Sequence, residues 1–356
     1  MNLISSVTVC YSVAAPRAKE IGKQVTDRSE QERVSFFLRH VTPLFKLERI
    51  AELAPDLMAD LERHMQVMGE SGKFDPFEFM YSTVFQLTIR AGGAREVTDS
   101  FEKCKRLEEL YWKVEQGTTA TFLLIPWLPS QARQQKLSAI REIYNLFDGI
   151  IKARKREGRQ EVDAVQRFID QGDSTADIIG FIMPMLFAGI VNTSLMSAWI
   201  FIFLDQVPEW KDKVINEIRI LLNKHAPIGE NLGSTRERFS KIPVQAWEDE
   251  MPVLEVNPSS IRCNPGRYDE GQDKRQTYAF LGWGAGRHPC AGRRFAQNEI
   301  KSLVTMFLAS YTYEVIDSSG RKPDPSVTVP DRNNLYRACP KGQTFYLKYT
   351  KRDQQL

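Results

Sequence analysis

Apolar residues recur every three or four positions through most of this chain, and that spacing predicts a protein built largely from helices. From residue 44, Ile50, Leu53, Leu57, Leu61, Met65 and Met68 line one helical face, which Ser71-Gly72 is expected to close. Asp75-Pro76 reads as an N-cap followed by proline at the first helical position. The helix it opens carries Phe77, Met80, Val84 and Leu87 on its buried side and breaks at Gly92-Gly93. Residues 98–116 read as another helix. Ser130 caps one bearing Leu137, Ile140, Tyr144, Phe147 and Ile151, and Pro208 begins one bearing Val214, Ile218, Leu221 and Leu222. Residues 224–246 read as a polar surface loop, and Trp247–Val256 as the opening of a further helix. Strands are expected only at the two ends: a β-prone run within residues 1–30, the alternating Tyr311–Asp317, and the segment GQTFYLKYTKR, which could pair with another strand.

One run departs from this amphipathic pattern. Ser174 to Asp177 forms a capping box, and from Ile178 to Leu204 no side chain is charged. Roughly 30 residues at 1.5 Å each span about 45 Å, enough for a membrane or for the width of a domain. Pro184, Gly189, Asn192, Thr193 and Ser194 interrupt the run, and Asp177 and Asp205 flank it in place of Lys or Arg. Those features favour a buried helix through the middle of a large α-rich domain. Composition agrees: 42% of residues are hydrophobic and 26% charged, as in a globular protein with a sizeable core. A net charge of +3 gives no basis for nucleic-acid binding. The basic run KARKREGR, Lys152–Arg159, reads as a solvated helix end. Five scattered cysteines suggest no disulfide framework and point to a reducing compartment. The first residues show neither a signal peptide nor a membrane anchor.

Candidate chemistry concentrates in FLGWGAGRHPCAGRRFAQNEI, Phe280–Ile300. Gly282, Gly284 and Gly286 allow the backbone to turn tightly against something flat and large. Cys290 follows, just before a helix whose apolar face is Phe295, Ile300, Leu303, Val304 and Phe307. A thiolate there gains from the positive end of the helix dipole and from free N–H groups. A buried free cysteine in a glycine-rich turn is the plainer reading of one such residue. Zinc is disfavoured, because His288 and Cys290 have no second ligand pair at zinc spacing.

WGAGRHPCAG resembles the haem-ligand loop of the cytochrome P450 superfamily, whose pattern is aromatic-x-x-Gly-x-basic-x-Cys-x-Gly; Trp283, Gly286, His288, Cys290 and Gly292 occupy those positions. The resemblance implies haem b with Cys290 as the axial thiolate, which favours O–O cleavage. It further implies that His288 pairs with a propionate and that the Gly292 N–H supports the sulfur. AGIVNTS, Ala188–Ser194, resembles the oxygen-binding kink of the family's central helix. Gly189, Asn192 and Thr193 are then the oxygen-site residues, with Val191 where the family has an acid and Asn192 where it has threonine. Asn192 can hydrogen-bond an oxygen or a water but cannot shuttle a proton as a carboxylate does. This variation is similar to the branch holding sterol-7-hydroxylases, prostacyclin synthases and sterol 14-demethylases.

Two family features have no counterpart. Pro265-Gly266-Arg267-Tyr268 matches the family's meander, yet no Glu-x-x-Arg precedes it between residues 200 and 267, which suggests an internal loss near 256–257 and leaves Arg267 without its partners. The helix that normally serves a propionate is reduced, around Glu32–Arg39, with Arg39 or His40 as substitutes. The expected fold is mainly α, P450-like, with a long central helix and a reduced β lobe, as a single domain over residues 1–356. The expected function is that of a haem-thiolate monooxygenase of fungal microsomal type, oxidising an apolar small molecule such as a sterol, terpenoid or other secondary-metabolite intermediate. NADPH-cytochrome P450 reductase would supply electrons. The family places such proteins on the endoplasmic reticulum surface, a chain without an anchor could be cytoplasmic, and residues 118–129, apolar and proline-ended, read either as a core loop or, by the resemblance, as a membrane contact or substrate channel. Two other readings stand beside this one: a haem-thiolate isomerase or dehydratase that uses no dioxygen, motivated by Val191 and Asn192, and a catalytically silent binding protein or incomplete gene product, motivated by the missing Glu-x-x-Arg.

Overall fold

A computed structural model describes residues 30–117, 130–227, 234–252, 282–284, 289–325, 328–331, 338–353 and 356. Helices dominate, and they start where local capping chemistry says they should. Helix α1 (Glu30–Leu44) leads into α2 (Leu47–Met68), whose Ile50, Leu53, Leu57, Leu61 and Met65 are buried. Asp75 Oδ1 accepts from the Phe77 N–H at 2.8 Å and opens α3 (Pro76–Gly92). After α4 (Arg95–Thr98) and α5 (Phe101–Gln116), the Ser130 hydroxyl accepts from the Arg133 N–H at 3.2 Å and opens α6 (Gln131–Glu157). Asp163 does the same for α7 (Ala164–Asp170), and the Ser174–Asp177 box for α8 (Thr175–Gln206). Pro208 is the first residue of α9 (Pro208–His225). Each cap satisfies N–H groups that have no partner inside the helix.

The chain divides into two compact units: the described residues to Leu44 with Thr88–Gly189, and Phe45–Leu87 with the described residues from Ile190 onward. In the first, α8 contributes Ile178, Phe181, Ile182, Met185 and Leu186 to the core. In the second it contributes Ile190, Ala198, Phe201 and Ile202. Among the described residues α8 is the one helix long and apolar enough to cross a membrane, and 61% of its most apolar window is buried, as a core helix would be.

The second unit also holds the β lobe, an antiparallel three-stranded sheet in the order β1 (Ser71–Phe74), β3 (Phe345–Lys351), β2 (Tyr311–Asp317). Val315 and Phe74 both oppose Leu347, on either side of the central strand. The expected strand pairing at the C-terminal end is present. The strand run within residues 1–30 lies outside the described residues, as do residues 118–129 and the Pro265–Tyr268 meander.

Four local expectations are corrected. Helix α2 ends at Gly69, whose φ of 77° suits glycine, and Ser71-Gly72 belongs to β1 because β3 offers hydrogen bonds that a turn would forgo. Residues 224–246 are not all loop: Ser234 and Glu237 form a capping box that opens α10 (Thr235–Ser240), and α11 spans Val244–Asp249. The helix placed at Trp247 therefore starts earlier and stops before Met251. The basic run is not wholly solvated. Arg154 is 1% exposed, with its Nε 2.9 Å from Glu96 Oε1 and its Nη1 2.9 Å from Asp163 Oδ1. Burial alone would lower the Arg154 pKa, but the bonds from Asp163 and Glu96 outweigh it and raise it. Asp163 also accepts from the Gln166 and Arg95 N–H groups, so one carboxylate joins α4, α6 and α7.

Candidate functional site

The Cys290 loop is closed by its own backbone. The Cys290 N–H donates to the Trp283 carbonyl at 2.8 Å, and Gly284 between them sits at φ 76°, a conformation a side chain would strain. Gly292 caps helix α12 (Arg293–Ser310), and the Arg293 N–H reaches back to the Cys290 carbonyl at 3.4 Å. Phe295, in the first turn of α12, stacks on Phe45 at 4.9 Å between ring centroids. A Cβ on Gly292 would lie 3.6 Å from the same ring, so Phe45 supports both the cap and the first turn.

Cys290 is exposed to solvent, and its sulfur accepts from the N–H groups of Gly292 and Arg293. Protein atoms crowding the inner side of the sulfur have the largest influence and raise the thiol pKa; the Gly292 N–H, the Arg293 charge and the Arg293 N–H lower it without fully offsetting that crowding. Two N–H donors aimed at an open sulfur suit a ligand thiolate, since a bound metal deprotonates its coordinating thiol outright. Trp283, Cys290 and Gly292 thus meet in one loop. Gly286 and His288 lie outside the described residues.

Helix α8 shows a narrow open stripe. Ala188 and Asn192 are exposed, and Phe187, Gly189, Leu195 and Met196 are half-buried, whereas Val191, Thr193, Ser194 and Ser197 are buried. Positions 188, 192, 195 and 196 share one face at helical spacing. An apolar helix with exposure confined to one such stripe suits an apolar planar ligand lying along it. Gly189 has a different constraint: a Cβ there would lie 2.8 Å from Thr88 Cγ2, so its small size admits α3. Asn192 presents its amide on the open stripe, while Thr193 is turned into the protein and its carbonyl accepts from the Ser197 hydroxyl at 2.9 Å. The Ser194 hydroxyl donates to the Val191 carbonyl at 3.2 Å. Among the described residues no hydrogen bond joins Cys290 to Asn192 or Thr193.

His40, one of the two substitutes considered for propionate binding, is occupied elsewhere. Its Nδ1 is 2.8 Å from the Phe36 carbonyl, its Nε2 is 2.8 Å from Gln171 Oε1 and 3.4 Å from Asp173, and its ring stacks on Phe168. Arg39 is exposed. Sequence reasoning did not single out Phe45 or Thr88. Each acts through a neighbour distant in the chain, and no local motif marks either one.

These features suit a haem-thiolate protein. The cytochrome P450 family profile matches residues 25–234 and 258–337, and the chain belongs to that family. The family binds haem b through a cysteine thiolate, draws electrons from redox partners and acts on apolar substrates. The chain is 23% identical over 379 residues to cytochrome P450 monooxygenase AacuE of Aspergillus aculeatus, covering 90% of this chain and 75% of that protein. It is 23% identical to cytochrome P450 monooxygenase nsrP of Aspergillus novofumigatus, covering 86% and 70%. It is 24% identical to obtusifoliol 14-alpha demethylase of Sorghum bicolor, covering 80% and 67%. The alignment to AacuE is longer than this whole chain although it uses 90% of it, so the relative carries segments with no counterpart here.

Proposed function

We propose that this protein is a haem-thiolate monooxygenase that oxidises an apolar small molecule, such as a sterol, terpenoid or other secondary-metabolite intermediate, with electrons from NADPH-cytochrome P450 reductase. The observation that carries this reading is the open Cys290 sulfur with the Gly292 and Arg293 N–H groups directed at it. Named relatives include fungal monooxygenases and plant sterol demethylases, which fits an apolar substrate.

In this reading Cys290 holds the iron, Trp283 and Gly292 shape the loop, and Gly286 and His288 complete it, His288 toward a propionate. When bound, the haem supplies dioxygen activation and the oxidising equivalents. The chain's own residues position and insulate. Ala188 and the apolar stripe of α8 exclude bulk water and offer contact to the substrate. The Asn192 amide gives one donor pair and one acceptor, sufficient to orient a water molecule that passes protons inward. Val191, buried where an acid would stand, supplies none. Thr193, also buried, supports the helix at this point, and Gly189 sets its approach to Thr88. The long central helix belongs to both compact units, which supports treating residues 1–356 as one functional domain. The endoplasmic reticulum surface is the proposed location, with residues 118–129 as the membrane contact; flotation with liposomes tests that.

The test of the activity is the reduced, carbon-monoxide-bound absorption spectrum of the purified protein, followed by NADPH consumption with the reductase. A strongly red-shifted Soret band lost in Cys290→Ser, with substrate-dependent NADPH oxidation, supports the reading. Turnover without NADPH or dioxygen would favour an isomerase. Absence of haem after expression with ample haem would remove the monooxygenase reading.

A further inference from the structure

Lys301 is a basic residue in the interior of the helix that follows Cys290, and it is 1% exposed. Its Nζ donates to the Trp247 carbonyl at 2.7 Å and to the Glu248 carbonyl at 3.4 Å. Those carbonyls belong to the last turn of α11, where a helix has no acceptors satisfied from within and carries its negative end. The neighbouring Ala246 carbonyl is taken by the Glu250 N–H at 2.9 Å. Lys301 therefore completes the C-terminal cap of a helix it is not part of.

Two more contacts fall on the same stripe of α12. The Arg294 Nε lies 2.7 Å from Glu248 Oε1, and the Thr305 hydroxyl lies 3.6 Å from the Met251 sulfur, both atoms buried. Arg294, Lys301 and Thr305 are spaced by seven and four, so they face one way along the helix. Phe295–Phe45 stacking resists sideways movement of the first turn, but rings can slide. A buried ammonium bonded to two carbonyls resists displacement along the helix axis, because a shift stretches both bonds to a charged donor.

We propose that Lys301 is a positioning residue that fixes α12 along its axis against Trp247–Met251, and so sets the height of the Cys290 sulfur and the retention of haem. Lys301 does so in a chain whose sequence shows no Glu-x-x-Arg between residues 200 and 267. The proposal rests on the haem-thiolate reading. It is separable from it, because a wild-type protein with a thiolate-type spectrum upholds that reading whatever Lys301 does.

The experiment compares haem loss from the folded holoproteins of wild type, Lys301→Met and Lys301→Arg, by transfer to excess apomyoglobin, alongside the reduced carbon monoxide spectrum. Lys301→Met is expected to lose haem at least about tenfold faster and to convert the thiolate-type band to the thiol type. Lys301→Arg, which keeps the charge and the donors, recovers most of both. A merely structural role would lower the thermal stability of the apoprotein and leave haem loss from the folded holoprotein unchanged, and that result overturns the proposal. Should Lys301→Met give no folded protein, Arg294→Ala decides. Its guanidinium is 47% exposed, so its removal leaves the fold intact; faster haem loss supports the contact, and an unchanged rate overturns it.

Discussion

Replacing Arg154 with methionine removes a buried guanidinium and keeps most of its aliphatic volume. The side chain is 1% exposed; Glu96 and Asp163, its two carboxylate partners, are 16% and 4% exposed. Besides the two bonds of 2.9 Å, Nη2 bonds both carboxylates, with Glu96 Oε2 at 2.5 Å. In Arg154→Met both carboxylates stay where they are, because Asp163 still caps α7 and accepts from the Arg95 N–H. The structure then holds a buried Asp163 carboxylate without its cation, beside a Glu96 that keeps only the half-exposed Arg159, 2.9 Å from Oε1. Breaking a buried pair in this way costs about 3–5 kcal/mol, whereas loss of a solvated pair costs about 0–1 kcal/mol. Urea unfolding followed by circular dichroism measures the difference, with wild type and Arg154→Met compared at pH 7 and equal m-values required. Glu96→Gln in the same background should recover part of the loss by removing the like charge that shared the guanidinium with Asp163, so the double-mutant cycle gives a coupling above about 1 kcal/mol. A single-mutant effect below about 1 kcal/mol would refute the burial and return Lys152–Arg159 to a solvated helix end.

Three further outcomes are expected. Cys290→Ser should abolish the thiolate-type spectrum while leaving the far-ultraviolet circular dichroism intact, since the residue is exposed; an unchanged spectrum would place the ligand elsewhere. His64, 9% exposed on α2, is held neutral by burial, with Asp60 opposing and Arg63 assisting, and its pKa falls from 6.5 to about 4. The unfolded chain therefore takes up a proton that the native protein refuses as pH falls from about 6.5 to about 4, and stability declines over that window by about 3 kcal/mol. His64→Gln should flatten the slope, and a variant with the wild-type slope would show that other groups set it. Gly189→Ala drives a Cβ to 2.8 Å from Thr88 Cγ2 and should cost about 1–3 kcal/mol; Thr88→Ala in the same chain should restore much of it, as measured by thermal unfolding, and a failure to restore would mean that α3 is not the obstacle.

What the sequence made legible was local. Asp75, Ser130 and Ser174 sit within three residues of the N–H groups they cap, so helix starts could be read without any tertiary knowledge. The Cys290 loop was legible for the same reason: the bond from its N–H to the Trp283 carbonyl closes over a short stretch of chain. Features that failed to show were created by partners far away. Ser71-Gly72 looks like a helix stop until β3 is present to pair with it. Arg154 looks solvated until Glu96 and Asp163 arrive from other elements. Gly189 was expected among the oxygen-site residues, and its constraint within the protein is a methyl group on α3. Thr193 and Asn192 could not be told apart by composition, since only the rotation of α8 decides which of two neighbours is open.

The order of the small sheet has a consequence for biosynthesis. Strand β3 is made after β1 and β2, yet it lies between them, with Phe74 and Val315 both waiting on Leu347. On the ribosome β1 therefore emerges with no partner, followed much later by β2, and neither can pair until the segment Phe345–Lys351 leaves the exit tunnel. A nascent chain halted before Phe345 displays two unpaired strand edges, which chaperones would have to shield. Completion of this sheet thus waits on Phe345–Lys351, and premature stop codons upstream of Phe345 should yield aggregates or degradation products in place of a shortened enzyme.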